Sequence, residues 1–550
     1  MGWKEAERLE EVVSSELSVT EALVAEIWQQ ILGPFDVVPD ADFFALGGDS
    51  LLAIQVIAEA EKRGLNLTLS TLFRTSTLRE MCKDLVLPEQ TDNGLARNPT
   101  LCGVCRGLAQ TEEALSQQNE NPLINETDKQ RLPVNIETAY PATRLQLGML
   151  FEGLYSGKAI YLDVIARDVN LPLDEKILHD TLQAIAKRHP VLRTRFDLAS
   201  FSEVMQLVES LSSLPLIVEN YTNLDDEQLA ARHEKVMVEL SQPFDPEEAP
   251  LMRVHAATLN KGQFRLAYAF HHAILDGWSE SVFILELLRL YQSNLAGESV
   301  LLEQPAPLSE FVKLEREALS NDKAKQFFSQ YLAKGKTDRY QDTDHRKAVS
   351  VLPERTVKQL LKNVSDWGIP LKSMFFASFY LTTAHQLQDI GFVAGMSVNG
   401  RPEREGADLT LGLFLNHIPI KLNLDFANNW QVLARQAFDA EKEILPFRRF
   451  PYSEIQTLLG GPPFEATFSY VHFHSRNELL ERGLVNTNED VRDHTSLPIR
   501  VELINDLKGE GILINVTADE RRYGTGFALA LAERLSEKIE DMAFLSGQII

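Results

Sequence analysis

Phe264-Arg-Leu-Ala-Tyr-Ala-Phe270-His271-His272-Ala-Ile-Leu-Asp276-Gly277-Trp-Ser279 is the stretch from which the fold is read. Phe264, Leu266, Tyr268 and Phe270 alternate with smaller or polar residues, the two-residue period of a strand. Beyond the motif, Ser279 is a residue type that caps helices, and the pattern predicts a helix over 282–291. Two adjacent histidines at a strand end point to opposite faces, so only one enters a given pocket. His272 shares parity with Phe264, Leu266, Tyr268 and Phe270, while His271 shares it with Ala267 and Ala269. Parity separates the two without saying which face lines a pocket. Three chemistries compete. The histidines are core residues satisfied by hydrogen bonds, or metal ligands, or one of them is catalytic. The spacing fits neither the helical zinc pattern nor a complete ligand set. A catalytic histidine would take a proton from an attacking amine, or orient that amine by hydrogen bonding.

Outward from this stretch, residues 136–550 alternate helical segments with short Val/Ile/Phe-rich strands, an α/β pattern. Their length predicts two lobes, divided as 136–305 and 306–550. The N-terminal part reads differently. Residues 1–19 form an extension, with a short charged helix or tail over 3–17. In the helix that follows, Val24, Ile27, Trp28 and Ile31 make one apolar stripe, and Gly33-Pro34 ends it. A loop rich in Asp, Pro and Gly leads to Ser50, which opens a second helix over 51–63, closed by Gly64. Shorter helical pieces near 69–73 and 77–85 complete a bundle of four helices over 20–86. Residues 87–135 carry Pro, Asn, Gln, Glu and Gly with little periodicity and read as a linker between domains.

The chain has 550 residues, too many for a single core, and a formal net charge of -25. Such acidity repels phosphate backbones and anionic membranes, which argues against nucleic-acid and lipid-surface partners. The charged start lacks the apolar centre of a signal peptide, and no apolar run is long enough to cross a bilayer. Three cysteines, Cys82, Cys102 and Cys105, cannot build a disulfide framework, so a cytoplasmic setting is expected. Cys102 and Cys105 have no second pair for a metal site.

Gly47-Gly48-Asp49-Ser50 has two readings. A serine at the first turn of a helix is an N-cap. It is also a suitable attachment point for a phosphate-linked arm, because free N–H groups and the helix dipole favour a phosphodiester there. The wider segment Asp42-Phe-Phe-Ala-Leu-Gly-Gly-Asp-Ser-Leu-Leu52 resembles the 4′-phosphopantetheine site of peptidyl carrier domains. That resemblance implies that Ser50 carries the arm, attached by a phosphopantetheinyl transferase, and that the arm's thiol holds an aminoacyl or peptidyl thioester.

Further motifs occur in order. Tyr140-Pro-Ala-Thr-Arg-Leu-Gln-Leu-Gly-Met-Leu-Phe151, Arg188-His-Pro-Val-Leu-Arg-Thr-Arg-Phe196, the His271–Ser279 signature, Gly395-Met-Ser-Val-Asn-Gly-Arg-Pro402 and Gly412-Leu-Phe-Leu-Asn416 together resemble the condensation-domain family of nonribosomal peptide synthetases. The resemblance implies two chloramphenicol-acetyltransferase-like lobes in a V, with a tunnel entered by donor and acceptor arms from opposite ends. It implies His272 as the chemically active residue within a catalytic group of His271, His272, Asp276 and Gly277. It also implies a structural salt bridge between Asp276 and Arg401, the alternative for Arg401 being a solvated loop charge, and a tight turn at Gly277 whose N–H faces the tetrahedral oxygen. No metal is expected. The carrier comes first, so its cargo reads as the donor, loaded by an upstream adenylation domain or other loading enzyme. The acceptor would come from a downstream carrier domain or a free amine, giving an amide, with ester formation or release onto a small amine as variants.

Two rivals differ in detail. Epimerisation domains share the double histidine but usually place a tryptophan just after the signature serine, whereas Trp278 precedes Ser279 here. Non-catalytic recruiting platforms have typically lost the signature histidines, which this chain keeps. His417 stands where the family often has a smaller polar residue, and reads as a surface or core histidine, with a tunnel contact as the alternative.

Overall fold

The computed structural model describes residues 17–85, 123–332 and 344–545, with short breaks at 34, 36, 47, 49, 69–70, 73–74, 84, 157–159, 390, 472–473, 494–496 and 506–510. The stretch read as a charged helix or tail over 3–17 lies outside the described residues except for its last residue, as do most of the linker and the Cys102/Cys105 pair.

In the N-terminal unit the first helix runs Val19–Leu32. It starts with a capping box, in which the Ser18 hydroxyl accepts the Glu21 N–H while the Glu21 carboxylate accepts the Ser18 N–H. Val24, Ile27 and Trp28 of its apolar stripe are fully buried, and Trp28 meets the Phe43 ring at 5.4 Å. The second helix is Ser50–Lys62 and a third is Leu78–Cys82. The piece near 69–73 lies partly outside the described residues.

The linker reading over 87–135 meets ordered structure at its far end. Asn125 caps a turn of helix, Glu126–Lys129. The buried Asp128 there accepts hydrogen bonds from the Ser202 N–H and hydroxyl. This segment is anchored to the α/β part of the chain.

Two large sheets organise the remainder. The first has five strands in the order Val485–Arg492, Leu162–Val169, Gln263–His271, Met252–Asn260 and Leu216–Asn220. The second has six: Leu415–Ile420, Ala394–Asn399, Ala466–Val471, Ile499–Asn505, Gly511–Asp519 and His345–Pro353. A small three-stranded sheet joins Ile136–Pro141, Met205–Glu209 and Thr194–Asp197. Four strands of the first sheet lie before residue 305, and all six of the second lie after it. Val485–Arg492, far along the second half, crosses over and pairs antiparallel with Leu162–Val169 of the first sheet.

Alternation on Gln263–His271 resolves the two faces. Phe264, Leu266, Tyr268 and Phe270 pack against the helix Gly277–Ala296 through Phe283, Leu287 and Tyr291. Ala267 and Ala269 pack on the other side against Val236, Met237 and Leu240 of the helix Asp226–Leu240. The small residues thus face one helix and the large ones the other. The helix after the signature is longer than the 282–291 expected, and its cap is not Ser279. Asp276 is the N-cap, accepting the Ser279 N–H at 2.8 Å. Ser279 lies within the first turn, where its hydroxyl is engaged elsewhere.

The two parts of the chain touch. Phe44, buried in the loop before Ser50, meets Phe438 of the helix Trp430–Ile444 edge-on with ring centroids 5.1 Å apart.

Candidate active site

The signature turn leaves the end of the strand Gln263–His271 and enters the helix Gly277–Ala296. Asp276 is its anchor. One carboxylate oxygen accepts from Ser279 N, the other from Phe414 N at 3.0 Å, and Arg401 reaches both at 3.2 Å. Arg401 also donates to the Ser279 hydroxyl at 2.7 Å, and its guanidinium lies over the Phe414 ring. The Ser279 hydroxyl in turn donates to the Gly412 carbonyl and accepts the Gly412 N–H. Position 412 leaves little room for a side chain, since a Cβ there would stand 2.7 Å from the Phe414 ring. Burial would raise the Asp276 carboxyl, but Arg401 and the two backbone N–H groups hold it below the usual range. Asp276 and Arg401, from opposite halves of the chain, therefore form a buried clasp between the lobes.

The other motifs converge on the same turn. Gln146, in the opening motif, donates to the Ala273 carbonyl at 2.9 Å. Arg188 and His189 of the second motif both contact Glu286 on the signature helix, at 3.0 and 2.7 Å.

The two histidines separate. His271 is buried, and its Nδ1 accepts the Ala273 N–H at 3.1 Å, which fixes the turn. Burial, aided by the charge of neighbouring His272, pushes its pKa down to about 4, so it is neutral. Although His271 belongs to the signature, its ring nitrogen is spent on its own loop. Gly277 is exposed and is the first residue of the helix, where N–H groups have no partner within the helix.

His272 is held by its backbone, whose N–H donates to the Tyr161 carbonyl at 2.7 Å. Tyr161 has φ 59°, in the left-handed region that an aromatic residue seldom adopts. The ring stands 3.1 Å, Nδ1 to Oδ2, from Asp163. That contact is an ion pair by distance but too bent for a hydrogen bond, since buried Nδ1 has no aligned acceptor. The side chain is nevertheless 23% exposed. Nδ1 is buried without an aligned partner and Nε2 is not, so the accessible part of the ring includes the edge that carries Nε2. Burial alone would lower the pKa of His272, but Asp163 and, further off, Asp276 outweigh burial and Arg500, and the net direction is upward.

Further residues complete the surroundings. Arg500, on Ile499–Asn505, is paired with Asp493. His417, on Leu415–Ile420, has Nδ1 3.2 Å from the Ser397 hydroxyl, which lies 2.6 Å from that of Ser469. His417 is half-buried, and burial, with the charges of His272 and Arg500, pushes its pKa to about 4. It sits close enough to His272 to feel its charge, on a strand of the other large sheet. Sequence reasoning missed Asp163, Tyr161 and Arg500, which come to His272 only through strand pairing and contact between the lobes.

The second candidate site is the loop before Ser50. Asp42 accepts the Phe44 and Ala45 N–H groups through one oxygen, and Gly48 N donates to the Phe43 carbonyl at 2.9 Å. Phe43 is fully buried, and a Cβ at Gly48 would lie 2.3 Å from its ring, so only glycine fits the turn. The turn delivers Ser50 as the first residue of a helix, a setting that suits a phosphodiester. The residues present fit a phosphopantetheine group.

Among the described residues, no group of His, Cys, Asp and Glu is arranged to hold a metal ion, and no helix is long and apolar enough to cross a membrane. Comparison with known proteins gives two family matches, a phosphopantetheine attachment site over 22–85 and a condensation domain over 136–544. The AMB antimetabolite synthetase AmbE of Pseudomonas aeruginosa is 30% identical over 98% of this chain, which covers 24% of that protein. Tyrocidine synthase 3 of Brevibacillus parabrevis is 28% identical over 67% of this chain, which covers 6% of it. The chain thus spans a quarter or less of the length of these relatives. Among solved structures, the condensation domain of the Monacolin K polyketide synthase MokA superposes with a TM-score of 0.63 at 16% identity, covering 76% of this chain and 99% of that one. The X-domain from teicoplanin biosynthesis gives 0.60 at 17% identity, covering 76% and 97%. At such identities these likenesses establish the fold alone. With the family match extending over most of its length, the chain belongs to the condensation-domain family, joined to a phosphopantetheine carrier domain as in nonribosomal peptide synthetases.

Proposed function

We propose that the chain transfers an acyl group from its own carrier domain to an acceptor amine, forming an amide. The observation that carries this reading is His272, whose Nδ1 side is buried beside Asp163 while the edge bearing Nε2 stays accessible. Recruiting platforms need no such group. The phosphopantetheine arm, when attached at Ser50, supplies a thiol that carries the acyl group as a thioester.

A thioester is already activated, so the residues around it have a modest task. Holding an amine and an acyl carbon in attack geometry supplies roughly 7–11 kcal/mol. His272 Nε2 accepts the amine's proton as the new C–N bond forms, and returns it to the departing sulfur as the C–S bond breaks. Amine and thioester become amide and thiol, with no oxidant or reductant. Asp276 and Arg401 take no part in proton transfer. They lock the turn and join the lobes, and His271 fixes the loop. The Gly277 N–H, at the helix start, is the backbone donor on this turn suited to the tetrahedral oxygen.

An upstream adenylation domain or loading enzyme would supply the cargo, and a downstream carrier or a free amine would accept it. The test is to load Ser50 with an acyl thioester, offer free amines and amine-loaded carriers, and follow intact-protein mass. Loss of the acyl mass with appearance of amide supports the reading. Inversion of the cargo's stereocentre without transfer would instead identify an epimerase.

A further inference from the structure

We propose that Asp163 is a positioning residue for His272, holding the Nδ1 side of the ring so that Nε2 meets the amine, and stabilising the imidazolium formed on proton transfer. The proposal rests on the reading of His272 as proton acceptor. Asp163 lies on Leu162–Val169, directly opposite Phe270. The register sets Asp163 and Phe270 on one face of the sheet, and the ring of His272, just past the strand's end, stands 3.1 Å from Asp163. One segment therefore grips His272 twice: the Tyr161 carbonyl takes its backbone N–H, and the Asp163 carboxylate stands beside its ring.

The other charged groups near the ring are already committed. Asp276 spends both oxygens on Arg401 and on the N–H groups of Ser279 and Phe414. Asp493 is paired with Arg500, and feels Lys347 as well. Arg500 opposes protonation of His272, and His271 and His417 are neutral. Among the described residues, Asp163 is the carboxylate within ion-pair distance of the imidazole. It is only 17% exposed, so water screens the pair weakly. Nδ1 is not aligned on the carboxylate, and catalytic hydrogen bonds often tighten into line only around substrate.

The experiment combines two readouts on the full chain. Without substrate, NMR titration of 15N-labelled histidine follows His272, its resonance identified by loss in His272→Ala. Asp163→Asn should lower the midpoint by about one pH unit or more, and Asp163→Glu should restore part of it. An unmoved midpoint overturns the proposal. With loaded carrier and amine, single-turnover rates are then taken against pH. Asp163→Asn should slow the plateau roughly ten- to a hundredfold and move its acid limb to lower pH. A uniform loss with the limb unmoved indicates a purely structural lesion and overturns the proposal. Wild-type rates in His272→Ala would overturn the catalytic reading itself, whereas an inactive His272→Ala beside an unaltered Asp163→Asn profile would overturn only the role of Asp163.

Discussion

At His271 the ring nitrogen accepts the Ala273 N–H, while one residue on, His272 keeps Nε2 on an accessible edge. The difference follows from strand parity, which turns neighbours to opposite faces. It yields two pH dependences. His272 works as a base when neutral and its pKa is raised, so the transfer rate should fall as pH drops through a midpoint above 6.5. A pH–rate profile under single-turnover conditions checks this. His271 titrates near 4 when folded but near 6.5 when unfolded, so the unfolded chain binds more protons in between. The stability that neutral His271 lends is complete above about pH 6.5 and fades as pH falls toward 4. His271→Asn should therefore cost less stability at pH 5 than at pH 7, measured as urea midpoints. The sequence showed that the two histidines must differ, because alternation is local. It could not show Asp163 or Tyr161, because which strand pairs with Gln263–His271 is set by contacts far apart in the chain.

Among the elements, the signature turn depends on side chains brought from the other half of the molecule. The sequence pattern placed a helix after the motif but assigned its start to Ser279. Asp and Ser are both good caps, and local preference does not rank them here. Tertiary contact does: the Ser279 hydroxyl is taken by Gly412 and Arg401, which leaves the cap to Asp276. Removing Arg401 would leave a buried carboxylate without its counter-ion. Arg401→Ala should destabilise the chain by about 3–5 kcal/mol, read from chemical denaturation. Arg401→Lys should recover little, because one ammonium cannot span both Asp276 oxygens and the Ser279 hydroxyl. The linker is a second case. Its polar, aperiodic composition gives no hint that Asn125 and Asp128 bind Ser202, since a single capped turn is too short for periodicity to register.

For the whole molecule, the α/β layering and the helical carrier were legible from periodicity, but the crossover of Val485–Arg492 was not. That strand completes the first sheet, and Glu489 on it reaches the buried Arg167, which also holds Glu280 of the signature helix. Residues 123–305 made alone should expose Leu162–Val169 as an open edge and fail to melt cooperatively, whereas 123–545 should melt as one unit. Circular dichroism with size-exclusion chromatography distinguishes them, and a monomeric, cooperative 123–305 would contradict the account. The same interdependence underlies the proposed chemistry, which places the acyl group on one domain and its transfer in another. The most direct measurement is the single-turnover rate of acyl transfer from loaded Ser50 to an amine, by intact-protein mass, in wild type, His272→Ala and His271→Asn. His272→Ala should lose about a hundredfold or more and His271→Asn much less. Equal rates for His272→Ala and wild type would rule out His272 as the proton acceptor.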